Sequence, residues 1–233
     1  IKTDYNKIKI DWRKNKPVFI INDKKIKNTI KNKKINFRKK VKNNSFKYNG
    51  RILVWENNNI NQKPKFMKYK NKILMSGNYK SYSIAEKPKS MFFKNKEMLA
   101  SKRGYIWSRS IPLMFNNILI GQGAETFDYQ FPQNDFLGKL QVMKKTNQVI
   151  QKPHNMYLQI AINFGFLTLI IFMFILIRYY YKSFIKDKKD LLNLAIIFSL
   201  LAYLIAGLFN DTIIINNLIF WMLFAIGFSK TNK

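Results

Sequence analysis

One histidine, His154, and no cysteine stand among the 233 residues of this chain. Disulfides, thiolate nucleophiles and cysteine-ligated zinc are therefore excluded. A catalytic zinc of the usual kind, which draws on two or three histidines, is not expected. What a single histidine supplies is a base that can take a proton near neutral pH. His154 lies in "KPHNMYLQI". Pro153 fixes the backbone before it, and Asn155 after it can cap a helix start. The acids Glu125, Asp128 and Asp135 are the other candidates. A carboxylate pair would suit glycoside hydrolysis, but acids in a polar loop are more often plain surface.

The elements that must hold His154 are apolar. From Met156 to Ile177 the chain carries no charge, about the length a helix needs to cross a 30 Å hydrocarbon core. Further apolar runs cover about 191–209 and 213–228. Three such runs in succession predict an α-helical membrane protein rather than a soluble helical core. The loop after the first run holds Arg178, Lys182, Lys186, Lys188 and Lys189, and the loop after the second holds Asp211 and no base. Short loops rich in Lys and Arg stay in the cytoplasm. The expected protein is thus a multi-pass protein of the cell membrane with a cytoplasmic C-terminus, and residues 1–155 are extracytoplasmic. The chain begins at Ile1 and is expected to be the C-terminal part of a longer protein.

Residues 1–88 predict a β-rich, basic extracytoplasmic domain. Apolar residues recur at period two (Ile8, Ile10, Trp12; Ile35, Phe37; Phe46, Tyr48; Ile52, Val54; Ile73, Met75), and turn signals such as Asn49-Gly50 separate them. Lys24 to Lys42 is expected to be partly disordered. Residues 89–153 form an external helix and loop, kinked at Pro112 and ended by Gly121 and Gly123. Residues 154–233 hold the three spans. The formal charge of +30 suggests an anionic partner: nucleic acid, anionic lipid or a phosphate-bearing substrate. A lysine-, asparagine- and isoleucine-rich composition also follows from an AT-rich genome. Nucleic acid is not expected as a partner, since the basic segment lies outside and carries no recognised motif.

The ordered set Arg103-x-x-x-Trp107, Gly121-x-Gly123 and His154-Asn-x-Tyr-Leu-Gln159 resembles the O-antigen ligase family of membrane glycan ligases and polymerases, over roughly residues 98–228. "FPQND" and "KPHNMYLQI" look most like its Gram-positive members. The chain departs from many members at Lys102 (Gly), Gln151 and Asn163 (acids). The resemblance implies transfer of a glycan from an undecaprenyl-diphosphate carrier to a glycan or cell-envelope acceptor at the bilayer surface, with no metal or other cofactor. It assigns Arg103 to the diphosphate, where a guanidinium fork binds phosphate oxygens in pairs, and His154 to the acceptor proton. Arg109, Lys139, Lys152 and Asn155 are the accompanying substrate-binding candidates. Ligase and polymerase stay open, as does a non-catalytic membrane protein whose basic external domain binds anionic cell-wall polymer.

Overall fold

In a computed structural model of the chain, all residues are described except 1–7, 14–15, 22–23, 27, 32–33, 38–43, 58–62, 71, 77–81, 94, 187–189 and 232–233. The chain divides into two compact units, Ile1–Pro88 with Pro132–Val149, and Lys89–Phe131 with Ile150–Lys233.

The first unit contains the antiparallel strands that the period-two bursts predict. β1 (Ile8–Arg13), β2 (Lys16–Ile21) and β3 (Lys24–Ile26) form a three-stranded sheet. β4 (Asn28–Lys31), β5 (Lys34–Phe37), β6 (Asn44–Tyr48), β7 (Ile52–Asn57), β8 (Lys65–Tyr69), β9 (Lys72–Ser76) and β10 (Tyr82–Ile84) form a seven-stranded meander. The Asn49-Gly50 signal makes the β6–β7 turn: Asn49 Oδ1 accepts from Ile52 N at 2.7 Å, and Gly50 takes φ +90°. The stretch from Lys24 to Lys42, expected to be partly disordered, carries three strands, and its residues 38–42 lie outside the described ones. In β7 the four residues Ile52, Leu53, Val54 and Trp55 are all apolar, so either alternation was possible. Leu53 and Trp55 are the buried pair, whereas Ile52 and Val54, the pair singled out in the sequence, lie on the other face.

The cover for the buried face comes from a distant part of the chain. α3 (Phe136–Met143) lies in the segment expected to belong with the external loop, yet it is part of the sheet unit. Phe136 and Leu140, one turn apart, join Phe46, Tyr48, Leu53, Trp55, Phe66 and Met75 in one core. Burying two such side chains stabilises the unit by roughly 1.5–3 kcal/mol each. Asp135 caps the helix, its Oδ1 accepting from Gly138 N at 2.9 Å. Lys139, on the same helix, is 1% exposed. Its Nζ donates to Gln133 O at 2.9 Å and to Gln133 Oε1 at 2.8 Å.

The second unit is helical. α1 (Leu99–Ser110) has left-handed backbone at Ala100, Ser101 and Lys102, so its regular part begins at Arg103. It continues as a 3-10 turn, Ile111–Phe115, because Pro112 has no N–H to extend the α ladder. After α2 (Phe127–Gln130) come α4 (Met156–Phe164), α5 (Phe166–Lys186), α6 (Leu191–Ala206) and α7 (Ile214–Thr231). The run read as one span from Met156 to Ile177 is two helices, broken at Gly165, which takes φ +89°. Phe166–Ile185 and Ile214–Thr231 are long and apolar enough to cross a membrane, while Leu191–Ala206 is apolar but shorter. Met156, Leu176, Tyr179, Ile197, Leu200 and Phe220 form the core among these helices. Lys230 Nζ, 2.6 Å from Asp190 Oδ2, ties the end of α7 to the start of α6.

Lys139 yields a pH prediction. Burial pushes its pKa from 10.5 down to about 8, with the charge of Asp135 opposing. Between those values the unfolded chain binds more protons than the folded one, so stability rises with pH across that window. Each step of one pH unit inside the window adds about 1.4 kcal/mol, for a gain of ~3 kcal/mol across it. Denaturation midpoints at pH 7.5 and 10.5 for the wild type and Lys139→Met check it: the wild type should gain relative to the variant, and parallel pH slopes refute the assignment.

Candidate functional site

His154 is held by Asp211, 57 residues away in the turn between α6 and α7. The His154 backbone N–H donates to Asp211 Oδ1 at 2.6 Å, and His154 Nδ1 lies 2.6 Å from Asp211 Oδ2. A carboxylate offers only acceptors, so Nδ1 carries a proton and Nε2 is the nitrogen left for other chemistry. The imidazole is 46% exposed and the carboxylate 11%. Gripping both the backbone and the ring fixes a residue whose φ is +52°, a conformation a non-glycine side chain takes at some cost.

Neighbouring bonds extend this clamp. Asn155 caps α4, its Oδ1 accepting from Leu158 N at 2.8 Å, while its Nδ2 donates to Leu208 O at 2.8 Å. Both ends of that amide are therefore engaged within the protein. Met156 N donates to Gly207 O at 2.8 Å. Gln159 Oε1 accepts from both the backbone N–H and the hydroxyl of Thr212, each at 3.0 Å. Residues 154–159 are thus bonded along 207–212, and His154 can neither slide nor tilt independently of Asp211.

The Arg-x-x-x-Trp pattern meets the same turn from a third side. Trp107 Nε1 donates to Pro153 O at 3.0 Å, a buried bond one residue before the histidine. Its ring also packs on Phe209, with centroids 6.0 Å apart, and edge-on to Phe93 at 5.5 Å. Trp107 therefore braces both the histidine turn and the aspartate turn. Arg103, one helical turn earlier, is partly buried. Its Nη1 donates to Ala100 O at 3.3 Å, and its buried Nε has no partner among the described residues. Arg109 stacks on Tyr105, with Cζ 4.3 Å from the ring centroid, and Nη1 donates to Ser108 Oγ at 2.7 Å. Lys139 is a buried residue of the other unit.

The Gly-x-Gly turn closes the far end of α4. Gln122 N donates to Ile162 O and Gly123 N to Asn163 O, each at 2.9 Å, so the turn's amides take up the last carbonyls of the helix. Phe166 N donates to Ile118 O at 2.7 Å across the break. This approach leaves no room for side chains. A Cβ on Gly121 would lie 2.4 Å from Asn163 O, and one on Gly165 would lie 2.1 Å from Leu119 O.

Beside α4 opens a cavity of about 1010 Å³. Its walls are largely apolar and include Phe172, Phe220 and Trp221. Lys152, Glu125, Gln159 and Asn163 supply polar groups. Asn163 is 3% exposed, and its Oδ1 has no partner among the described residues. Lys152, two residues from His154, and Glu125 are thus the sequence candidates placed on the cavity.

Asp211 does not stand out in the sequence as a functional residue, although a signal is present. It is the acid in the turn predicted on the same side as His154. Trp107 reads in the sequence as a mark of the pattern, and the fold makes it a brace.

A family model described as O-antigen ligase matches residues 25–173, more than half of the chain. The match begins inside the β-rich segment, N-terminal to the motifs that carry the resemblance. No curated protein and no solved structure matches the chain.

The brace yields a test. Trp107→Phe keeps an aromatic ring but leaves Pro153 O buried without its donor, a loss of about 1–3 kcal/mol. Thermal melting of the detergent-solubilised protein should fall accordingly, and an unchanged midpoint refutes the role.

Proposed function

The chain belongs to the O-antigen ligase family, and from that premise we propose that it transfers a glycan from a polyprenyl-diphosphate carrier to an acceptor hydroxyl at the outer face of a membrane. The observation that carries the reading is the His154–Asp211 pair, braced by Trp107, in a chain that the family model matches. The acceptor oxygen attacks the anomeric carbon as the bond from that carbon to the diphosphate oxygen breaks. The acceptor proton passes to His154 Nε2, and the polyprenyl diphosphate leaves with the bonding pair. Asp211 holds the ring in the tautomer that frees Nε2, as a positioning residue. Arg103 meets the negative charge of the leaving diphosphate, and its unpartnered Nε supports that role. Lys152 provides a cation on the cavity wall, with Arg109 as a further candidate. The acceptor decides between ligase and polymerase.

In this reading α5, α6 and α7 cross the membrane, and α4 is a half-helix entering from the outer face. Backbone within a bilayer is tolerated in irregular form only where protein satisfies it. The bonds from Gln122 and Gly123 to the end of α4 supply that satisfaction. The basic end of α5 from Arg178, the lysines that follow it and the tail at Lys230 stay in the cytoplasm.

Two experiments test these assignments. Transfer from a purified lipid-diphosphate glycan is measured with the full-length protein in liposomes. His154→Ala should lose on the order of 10²–10⁴-fold in turnover while donor binding survives. Asp211→Asn should lose up to about 10⁴-fold, also in turnover, because an amide there favours the wrong tautomer of the ring. Arg103→Lys should weaken donor binding as well as turnover, because a point charge does not reproduce a bidentate fork. Wild-type rates in His154→Ala, at matched insertion, end the general-base assignment. For topology, single cysteines at the exposed positions Asn216 and Ser229, at opposite ends of α7, should label from opposite sides of intact cells with an impermeant thiol reagent. Labelling of both from outside overturns the orientation.

A further inference from the structure

The seven-stranded sheet carries a charge pattern that neither its core nor the chemistry at His154 uses. Between Asn28 and Ile84, the bounds of this sheet, the chain has 15 Lys and Arg residues and one acid, Glu56. The strand register organises part of this excess. Lys31 pairs with Lys34, Lys34 with Lys47, Lys47 with Val54, and Val54 with Lys65. One line across β4 to β8 therefore meets lysine on four of its five strands. Adjacent strands lie about 4.8 Å apart, so the line is a regular row of cationic positions.

Lys47 and Lys65 are exposed, and they alternate with the buried Phe46, Tyr48 and Phe66, so their side chains stand on the face opposite the α3-covered core. Like charges placed directly opposite in a sheet destabilise it by some tenths of a kcal/mol per pair. The protein offsets little of this on its own: Glu56 Oε1 is shared by Lys47 Nζ at 2.9 Å and Lys63 Nζ at 3.1 Å. A polyanion lying along the row would relieve the repulsion.

The flanks of the row indicate which polyanion. On one side stand Ser45 and Glu56, paired with each other. On the other runs an aliphatic row, Ile52, Met67, Leu74 and Ile84, linked strand to strand. Nucleic-acid strands are held by successive aromatic platforms on which bases stack; the aromatics on this face among the described residues are Tyr69 and Tyr82, and neither stands between the lysines of the row. A sugar chain presents hydroxyls, C–H faces and spaced anionic groups, and this striped face offers a partner for each. We propose that the outer face of the sheet binds a linear anionic glycan along the line of Lys31, Lys34, Lys47 and Lys65. The proposal does not rest on the transfer chemistry.

The test is equilibrium binding of short alginate chains to the full-length protein in zwitterionic liposomes, with dextran and single-stranded DNA of matched length and charge as comparisons. Alginate should bind, and dextran should not. Lys47→Gln/Lys65→Gln should weaken alginate binding at least fivefold and flatten the dependence of log K on log salt by roughly one to two, since each charge contact contributes about 0.7–0.9 to that slope for polyanions such as DNA. Lys47→Arg/Lys65→Arg should restore both. Lys87→Gln/Lys89→Gln, an equal change in net charge at exposed positions off the sheet, should stay within twofold of the wild type. His154→Ala should bind alginate normally, which separates this result from failure of the transferase reading. Equal loss in the two glutamine variants, tighter binding of DNA than of alginate, no alginate binding, or complete competition by anionic-lipid vesicles each overturns the proposal.

Discussion

The short helix α4 imposes the constraint on which the second unit depends. A nine-residue helix has unsatisfied amides at one end and unsatisfied carbonyls at the other, and few bonds of its own between them. Here each end is satisfied by a different distant segment. Asn155 caps the start and is tied with Met156 to the 207–208 backbone, while Gln122 and Gly123 close the finish. The position of His154 follows from the first set of bonds, and the break at Gly165 follows from the second. Removing either set would release a helix too short to persist on its own.

This arrangement ties the histidine on several sides although its ring is half-exposed. Its mobility is limited by what its neighbours do rather than by burial of its own ring. Pro153 O is held by Trp107, its backbone N–H and Nδ1 by Asp211, and the next two residues by the end of α6 and the turn after it. In the general-base role proposed for it, His154 has to be reachable by a hydroxyl, and a tied backbone with a free Nε2 would reconcile access with orientation. The left-handed φ of His154 is tolerated in such a frame because every neighbouring group is tied.

Local signals in the sequence were legible, and distant pairings were not. The Asn-Gly turn, the period-two strands and the histidine at a helix start could all be read because each lies within a few residues. The α3 cover of the sheet could not, since its apolar residues are separated from the strands by the whole of 89–131. The face of β7 was ambiguous because four successive apolar residues fit either alternation. Gly165 was hidden for a related reason: flanked by Phe164 and Phe166, it sits in an unbroken apolar run, and only the approach of Leu119 to its α-carbon shows that no other residue fits. Asp211 was visible as an acid on the predicted outer side, but its pairing with His154 needed the fold.

The two units thus treat charge in opposite ways. In the helical unit, His154 and Asp211 pair in the braced turn, while several buried polar atoms have no partner among the described residues: Arg103 Nε, Asn163 Oδ1 on the cavity wall, and, on α5 and α6, Tyr179 OH, Ser183 Oγ and the Asn193 amide. Buried polar groups without partners are costly, and Asn163 Oδ1 is the one of these atoms whose residue lines the cavity. On the strands of the sheet unit Lys47 and Lys65 are exposed, and Glu56 serves both Lys47 and Lys63, so water screens most of the repulsion and its cost per pair is small. Selection on stability alone would barely register such a row. A regular line of lysines across successive strands is therefore informative less through its energy than through its geometry, which a folded sheet holds constant and a flexible basic tail does not.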